Sequence, residues 1–249
     1  MDVNGRIVVF PAPVEQEKEP TIRDERREVG KSREQPEVKD GVLLVAADVT
    51  EIQDDQYAGR GDIYEVVFEA PSALERIGDG AFCDCENLER ICFPRESSLK
   101  EIGEDAFRRC GALTALVVTG GINAAEMPSF PDGLEKIGRN AFSQCENLEL
   151  LVFPSSLRSI GEAAFFLCTG LNRTIVIPES VQSIGKDAFL LRYGRGRGSF
   201  DKCIPLDFGA RKNFAKISRD VLVNNHQCPT CGHKLVWFSR RCFHCRTLV

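Results

Sequence analysis

A nine-residue pattern that returns five times constrains the fold of this chain more than any other feature. Leu74 to Phe82, Leu99 to Phe107, Leu134 to Phe142 and Leu157 to Phe165 all read Leu-x-x-Ile-Gly-x-x-Ala-Phe, and Val181 to Phe189 repeats it with Val first. The Ile-Gly pairs begin at Ile77, Ile102, Ile137, Ile160 and Ile184, a nearly constant interval broken only by the longer step from Ile102 to Ile137. In four copies a cysteine follows the phenylalanine by three positions: Cys85, Cys110, Cys145 and Cys168. Three further on stand Leu88, Leu113, Leu148 and Leu171, each opening a short apolar run that ends at Phe93-Pro94, Val118, Phe153-Pro154 or Ile177-Pro178. A degenerate copy lies upstream, with Val49, Ile52, Tyr57, Ile63, Val66 and Phe68 in register. Units this small cannot bury their own apolar side chains, so they must stack, each covering the next. The expected product is α/β: a solenoid with a parallel sheet on one face and short helical turns on the other. Gly after Ile permits a left-handed or crowded turn, and Pro after the run ends pairing.

The full pattern, Leu-x-x-Ile-Gly-x-x-Ala-Phe-x-x-Cys-x-x-Leu-x-x-Ile-x-Phe-Pro, resembles the treponemal or BspA-like class of leucine-rich repeat over about residues 49–190. The resemblance implies a right-handed, curved leucine-rich-repeat solenoid whose strand face binds, and a role in protein-protein or adhesive contact. Many members of that class look secreted or surface-bound.

In each strand the residues between the inward ones face outward. These are Glu65 and Val67, Arg90 and Cys92, Ala115 and Val117, Leu150 and Val152, then Thr174 and Val176. One column is thus Val67, Cys92, Val117, Val152 and Val176, an apolar stripe of the kind that marks a contact site. Val67, Arg90, Cys92, Val117, Leu150, Val152, Thr174 and Val176 are the candidate partner-binding residues. The bland alternatives are that β-branched residues simply suit strands, or that the chain's own arm or tail covers the stripe. Thr119 to Gly133 is longer than the repeat requires and is expected to bulge as a loop. The aligned cysteines read as small buried hydrophobes, because equivalent side chains in stacked strands run alongside one another.

Charge divides the chain. Residues 41–190 hold 12 basic and 24 acidic side chains, whereas residues 191–249 hold 12 and 3. Residues 1–40 form a charged arm: from Glu15 to Asp40 most side chains are charged, with both signs mixed, and Pro20 and Pro36 break any helix. Such a segment cannot offset its conformational entropy by burial and is expected to be disordered. The solenoid is assigned to 41–205, with its clear repeats over 72–190, and a basic helical cap or linker to 206–227, where Phe214, Ile217 and Val221 recur at helical spacing.

Residues 228–249 contain Cys228-Pro229-Thr230-Cys231-Gly232 and, a short segment later, Cys242-Phe243-His244-Cys245. Two CxxC knuckles present four thiolates to one ion and suit tetrahedral zinc, so Cys228, Cys231, Cys242 and Cys245 are the expected ligands of a zinc-ribbon-like module. Four thiolates leave no position for water, which makes the zinc (Zn2+) structural. A redox dithiol pair, or His233 or His244 replacing one cysteine, are the alternatives. Around the knuckles, Lys234, Trp237, Arg240, Arg241 and Arg246, with Arg195 and Arg197 upstream, could hold phosphates and stack bases, so nucleic acid is a possible partner through residues 191–249.

Catalysis finds little support. The three histidines, His226, His233 and His244, all lie in the C-terminal tail, so the solenoid offers none for a triad or acid–base pair. No stretch approaches eighteen uninterrupted apolar residues, no secretory leader is visible, and no small-molecule substrate is indicated. Eleven cysteines, an odd number with four in metal-type spacing, indicate a reducing, cytoplasmic setting. The expected function is a non-enzymatic protein-protein interaction scaffold that binds on the strand face, with the zinc module adding a basic contact surface. A nucleic-acid-associated protein and a secreted adhesin are the alternatives.

Overall fold

The computed structural model describes residues 38–119, 127–192, 202–208 and 217. These all belong to one compact unit, which begins at Pro36. Apart from Val38 to Asp40, the N-terminal arm lies outside the described residues.

The chain winds into successive coils, numbered here one to six by their isoleucines at 52, 77, 102, 137, 160 and 184. A back sheet stacks Glu51–Ile52, Arg76–Ile77, Glu101–Ile102, Lys136–Ile137, Ser159–Ile160 and Ser183–Ile184 in parallel, isoleucine against isoleucine. A front sheet stacks Val42–Val45, Glu65–Phe68, Arg90–Pro94 and Ala115–Thr119 in parallel. Its first edge is closed by Val38–Lys39, folded back antiparallel through Asp40 and Gly41 at φ 52° and 80°. Both turn residues at positive φ match a two-residue hairpin turn, the conformation an Asp-Gly dipeptide favours. Further along, Ile175–Val176 pairs in parallel with Leu206–Asp207, and Leu190–Arg192 pairs antiparallel with Lys202–Cys203. Ile217 forms an isolated parallel bridge with Ile184, carrying the isoleucine column past the sixth coil.

The expected helical turns are absent: among the described residues there is no helix, and a second parallel sheet stands opposite the first. The reason is visible in the backbone. Asp55, Gly80, Asp105, Asn140, Ala163 and Asp187 all have φ between 51° and 62°, and Gly59, Asp84, Arg109, Gln144 and Leu167 between 60° and 71°. Two left-handed residues four apart in a coil interrupt any right-handed helix. Alternate N–H groups between them turn outward and donate to the next coil. The amides of Asp55, Tyr57 and Gly59 reach the carbonyls of Asp79, Ala81 and Cys83 at 2.8, 2.8 and 2.7 Å. The same three bonds recur from each coil to the next as far as Leu167 to Leu190 at 2.8 Å.

Close stacking explains the glycine after each isoleucine. A Cβ on Gly138 would lie 2.5 Å from the carbonyl carbon and oxygen of Gly103, and one on Gly161 equally close to the Gly138 carbonyl carbon. Crowding between coils, rather than a left-handed backbone, fixes this residue. Inside, Tyr57, Phe82, Phe107, Phe142, Phe165 and Phe189 form one aromatic column with centroids 5.1 to 5.4 Å apart.

The segment after Thr119 is not wholly an extruded loop. Residues 120–126 lie outside the described residues, but Met127–Pro128 pairs antiparallel with the coil-three strand. Phe130 is buried, stacked on Phe153 at 5.7 Å and edge-on to Phe142 at 5.6 Å. A second aromatic column, begun by Phe68 on Phe93 at 5.2 Å, has only Val118 in coil three; Phe130 restores a ring beside Phe153.

Candidate interaction face

The outward-facing front positions form two rows. The first runs Val42, Glu65, Arg90 and Ala115 in direct register, and the second Leu44, Val67, Cys92 and Val117. Leu150, Val152, Thr174 and Val176 belong to the following coils, where the inserted segment has taken the place beside the coil-three strand. The Phe130 amide donates to the Val152 carbonyl at 3.3 Å, so on this part of the front face the insertion stands between coils three and four, which pair directly on the back.

The expected apolar stripe is therefore not uniformly exposed. Cys92 and Val117 are each only 5% exposed, and Val67 is half-buried. Val152 and Val176 are open, at 48% and 64%. Over the middle of the first half, Glu65 accepts the Cys92 thiol at 3.1 Å and pairs with Arg90 at 3.6 Å. Burial pushes the Cys92 thiol up to about 11, and the Glu65 hydrogen bond adds to the rise, so this sulfur stays protonated and unreactive at neutral pH. Leu44, at 48%, is exposed on the same row and stands outside the candidates read from the sequence. Its signal is Val42-Leu43-Leu44-Val45, placed one repeat interval before Glu65-Val66-Val67-Phe68.

Elsewhere several of the solenoid's charges pair with one another. Arg76 bridges Glu51 at 2.7 Å, Asp54 at 3.0 Å and Asp79 at 3.2 Å, and Lys136 reaches Glu101 at 2.7 Å. The backbone N–H of Asp79, then the Arg76 guanidinium, hold the Asp54 carboxyl below its ordinary range. Asp84 is lowered first by its hydrogen bond from Arg109 at 2.6 Å. These partly exposed pairs, all but Arg76–Asp79 between coils, contribute little each.

The cysteine ladder is buried as expected, and each thiol has a task. Cys85, Cys110, Cys145 and Cys168 donate to the carbonyls of Tyr57, Phe82, Phe107 and Phe142 in preceding coils, at 3.1, 3.2, 3.2 and 2.9 Å. Burial raises all four thiols, Cys85 to about 11 and Cys168 to about 12.

Residues 148–153 of coil four do not form the expected front strand, and in coil five only Ile175–Val176 does; a cavity of about 350 Å³ lies at the start of these two front segments, lined by Asn147, Glu149, Leu150, Gly170, Asn172 and Arg173. Of these only Leu150 is among the candidates read from the sequence. A clue lies in the spacing, since Leu148 to Leu151 spans three positions where Leu171 to Ile175 spans four.

Cys228, Cys231, Cys242 and Cys245, with Arg195, Arg197, Lys234, Trp237, Arg240, Arg241 and Arg246, lie outside the described residues. Among the described residues no group of three metal-ligating side chains is found, and no helix is long and apolar enough to cross a membrane.

Coils two to six, each placing one Leu or Val, one Ile, one Ala and one Phe in a shared interior closed by parallel sheets, define a leucine-rich-repeat β-solenoid. Residues 50–189 match six copies of the BspA type leucine rich repeat region, and the chain belongs to that family. It is also similar to the crystal structure of a T. pallidum leucine-rich-repeat protein, at 25% identity and a TM-score of 0.47, covering 59% of this chain and 69% of that one. A leucine-rich-repeat protein from Bacteroides ovatus matches at 25% identity and a TM-score of 0.41, covering 61% and 44%. No curated protein matches.

Proposed function

We propose that this protein is a non-enzymatic scaffold that captures a protein partner on the front face of its solenoid. Repeat proteins of this type are generally interaction or adhesion scaffolds, and a stacked interior leaves the outer strand positions free to vary with the partner. The observation that carries the reading is the exposure of Val152 and Val176 at front-face positions that a self-contained repeat would make polar. Leu44 extends the apolar area at the other end. The remaining partner-binding candidates contribute differently: Arg90, Leu150 and Val67 are half-buried and shape the surface, whereas Thr174 is exposed beside Val176.

The reading includes a structural zinc held by Cys228, Cys231, Cys242 and Cys245, supported by their spacing, and a cytoplasmic location, supported by the cysteine usage. The test is capture of binding proteins by the full chain and by the Val152→Asp, Val176→Asp double variant at low and high salt. Salt-tolerant capture lost in the variant supports the scaffold. Capture that is unchanged in the variant and disappears with salt overturns it and points to the basic C-terminal region instead.

A further inference from the structure

The rim cavity gathers polar side chains without partners around one space. In coil two, Asn87 donates its side-chain amide to the Gly61 carbonyl of the preceding coil at 2.7 Å. Asn147 occupies the same repeat position in coil four and makes no such bond; nor do the side chains of Glu149, Asn172 or Arg173 have a hydrogen-bond or ion-pair partner among the described residues. Coil five carries one residue more than coil four before its front strand, which opens the space, while Gly170 packs so closely on coil four that a Cβ there would sit 2.7 Å from the Leu148 carbonyl oxygen.

We propose that this groove binds an extended segment of the partner protein carrying one acidic and one basic side chain, and that coils four and five form the docking site. The inference rests on the scaffold reading above. Arg173 offers a fork of donors to a carboxylate and Glu149 an acceptor to a lysine or arginine. The amides of Asn147 and Asn172 each present a donor and an acceptor, the complement of a main-chain peptide group. Leu150 is among the lining residues and exposed Val152 follows two positions on, an apolar continuation for a neighbouring side chain. Asn147, Glu149, Asn172 and Arg173 are all exposed, so the groove admits a continuous chain as well as a small molecule. A phosphate backbone is disfavoured by Glu149 and by exposed Glu146, in a region with twice as many acidic as basic side chains.

The test uses acetylated, amidated hexapeptides containing one Asp, one Lys and two Leu in varied order, with an all-Ser control, measured by fluorescence anisotropy against the full chain. Members with both charges should bind above the control. Arg173→Glu should weaken them by about tenfold or more, the scale of a lost charge-assisted hydrogen bond. Exchanging the peptide Asp for Lys should restore binding to Arg173→Glu, a rescue that a misfolded variant cannot show. Binding that survives Arg173→Glu but is lost in Leu44→Asp would overturn the groove while leaving the scaffold in place. No binding by any member would also overturn the groove, and the capture experiment above would then decide the scaffold independently.

Discussion

Gly138→Ala is the substitution that most directly tests why the coils pack as they do. Its added Cβ would stand 2.5 Å from the Gly103 carbonyl carbon and oxygen and 2.7 Å from the Glu104 nitrogen, all backbone atoms that cannot rotate away. Restoring an ordinary 3.4 Å contact requires coils three and four to separate locally by about 0.9 Å. That shift stretches the Gly138 N–H bond to Ile102, now 2.8 Å, to about 3.7 Å, beyond hydrogen-bonding range. The neighbouring bonds from Asp105 to Arg139 at 2.8 Å and from Lys136 to Lys100 at 3.0 Å lie on the same seam. Three bonds at a net ~1 kcal/mol each give about 3 kcal/mol. In a domain of this size that is a fall of roughly 6–12 °C in Tm. The control is Gly111→Ala, where nothing lies within 4 Å of the new Cβ. Thermal and urea unfolding followed by far-ultraviolet circular dichroism would measure both. Equal stability of Gly138→Ala and Gly111→Ala would refute the crowding argument.

The buried thiols should resist labelling: in native protein at pH 8, a disulfide reagent should titrate Cys85, Cys110, Cys145 and Cys168 only after denaturation, as mass spectrometry of labelled peptides would show. Because folding raises these thiols above their ordinary value of 9.0, Cys85 to about 11 and Cys168 to about 12, their contribution to stability is complete below pH 9 and is lost as pH climbs toward 11–12; urea midpoints measured from pH 8 to 11 should fall only above 9. Phe130→Ala should cost ~3–5 kcal/mol in urea unfolding, since it empties a fully buried aromatic site; a loss near zero would mean that the insertion is surface decoration. Elemental analysis of the full chain should find about one zinc, and a Cys231→Ser, Cys245→Ser variant should lose it.

The repeat made the interior legible almost completely. Leu74, Ile77, Ala81, Phe82, Cys85 and Leu88 are all 0–1% exposed, and their equivalents behave alike, because a periodic sequence can satisfy only a periodic fold. The missing helices were less visible, since Gly80, Asp105, Asn140 and Asp187 hint at a left-handed residue but Ala163 does not, and Arg109 and Leu167 conceal the second. On the front face, alternation correctly set direction, yet direction is not exposure. Cys92 and Val117 point outward and are still covered, a fact that depends on neighbouring side chains across the sheet and not on the period. The rim groove arises from a one-residue lengthening and from a partner bond that Asn147 fails to make, neither of which a spacing rule weighs.

The degenerate first copy becomes intelligible from the same contacts. Every later coil needs glycine after isoleucine because a Cβ there points into the backbone of the coil before it, as on Gly78, where it would meet Gln53 and Asp54 at 2.7 Å. Coil one instead carries Gln53 at this position, and Glu51–Ile52 is the edge strand of the back sheet among the described residues. Its N–H is already bonded to the Gln56 side-chain oxygen at 2.8 Å, and the Gln56 amide nitrogen donates onward to the Tyr57 hydroxyl at 3.0 Å. Tyr57 replaces the usual phenylalanine at the one level where a ring can reach a polar partner beyond the stack. On the front, Asp40 and Gly41 turn the chain back on itself and close the other edge. The departures from the repeat in coil one are thus those that end a stack: a side chain where glycine would invite another coil, and an amide that satisfies the terminal backbone.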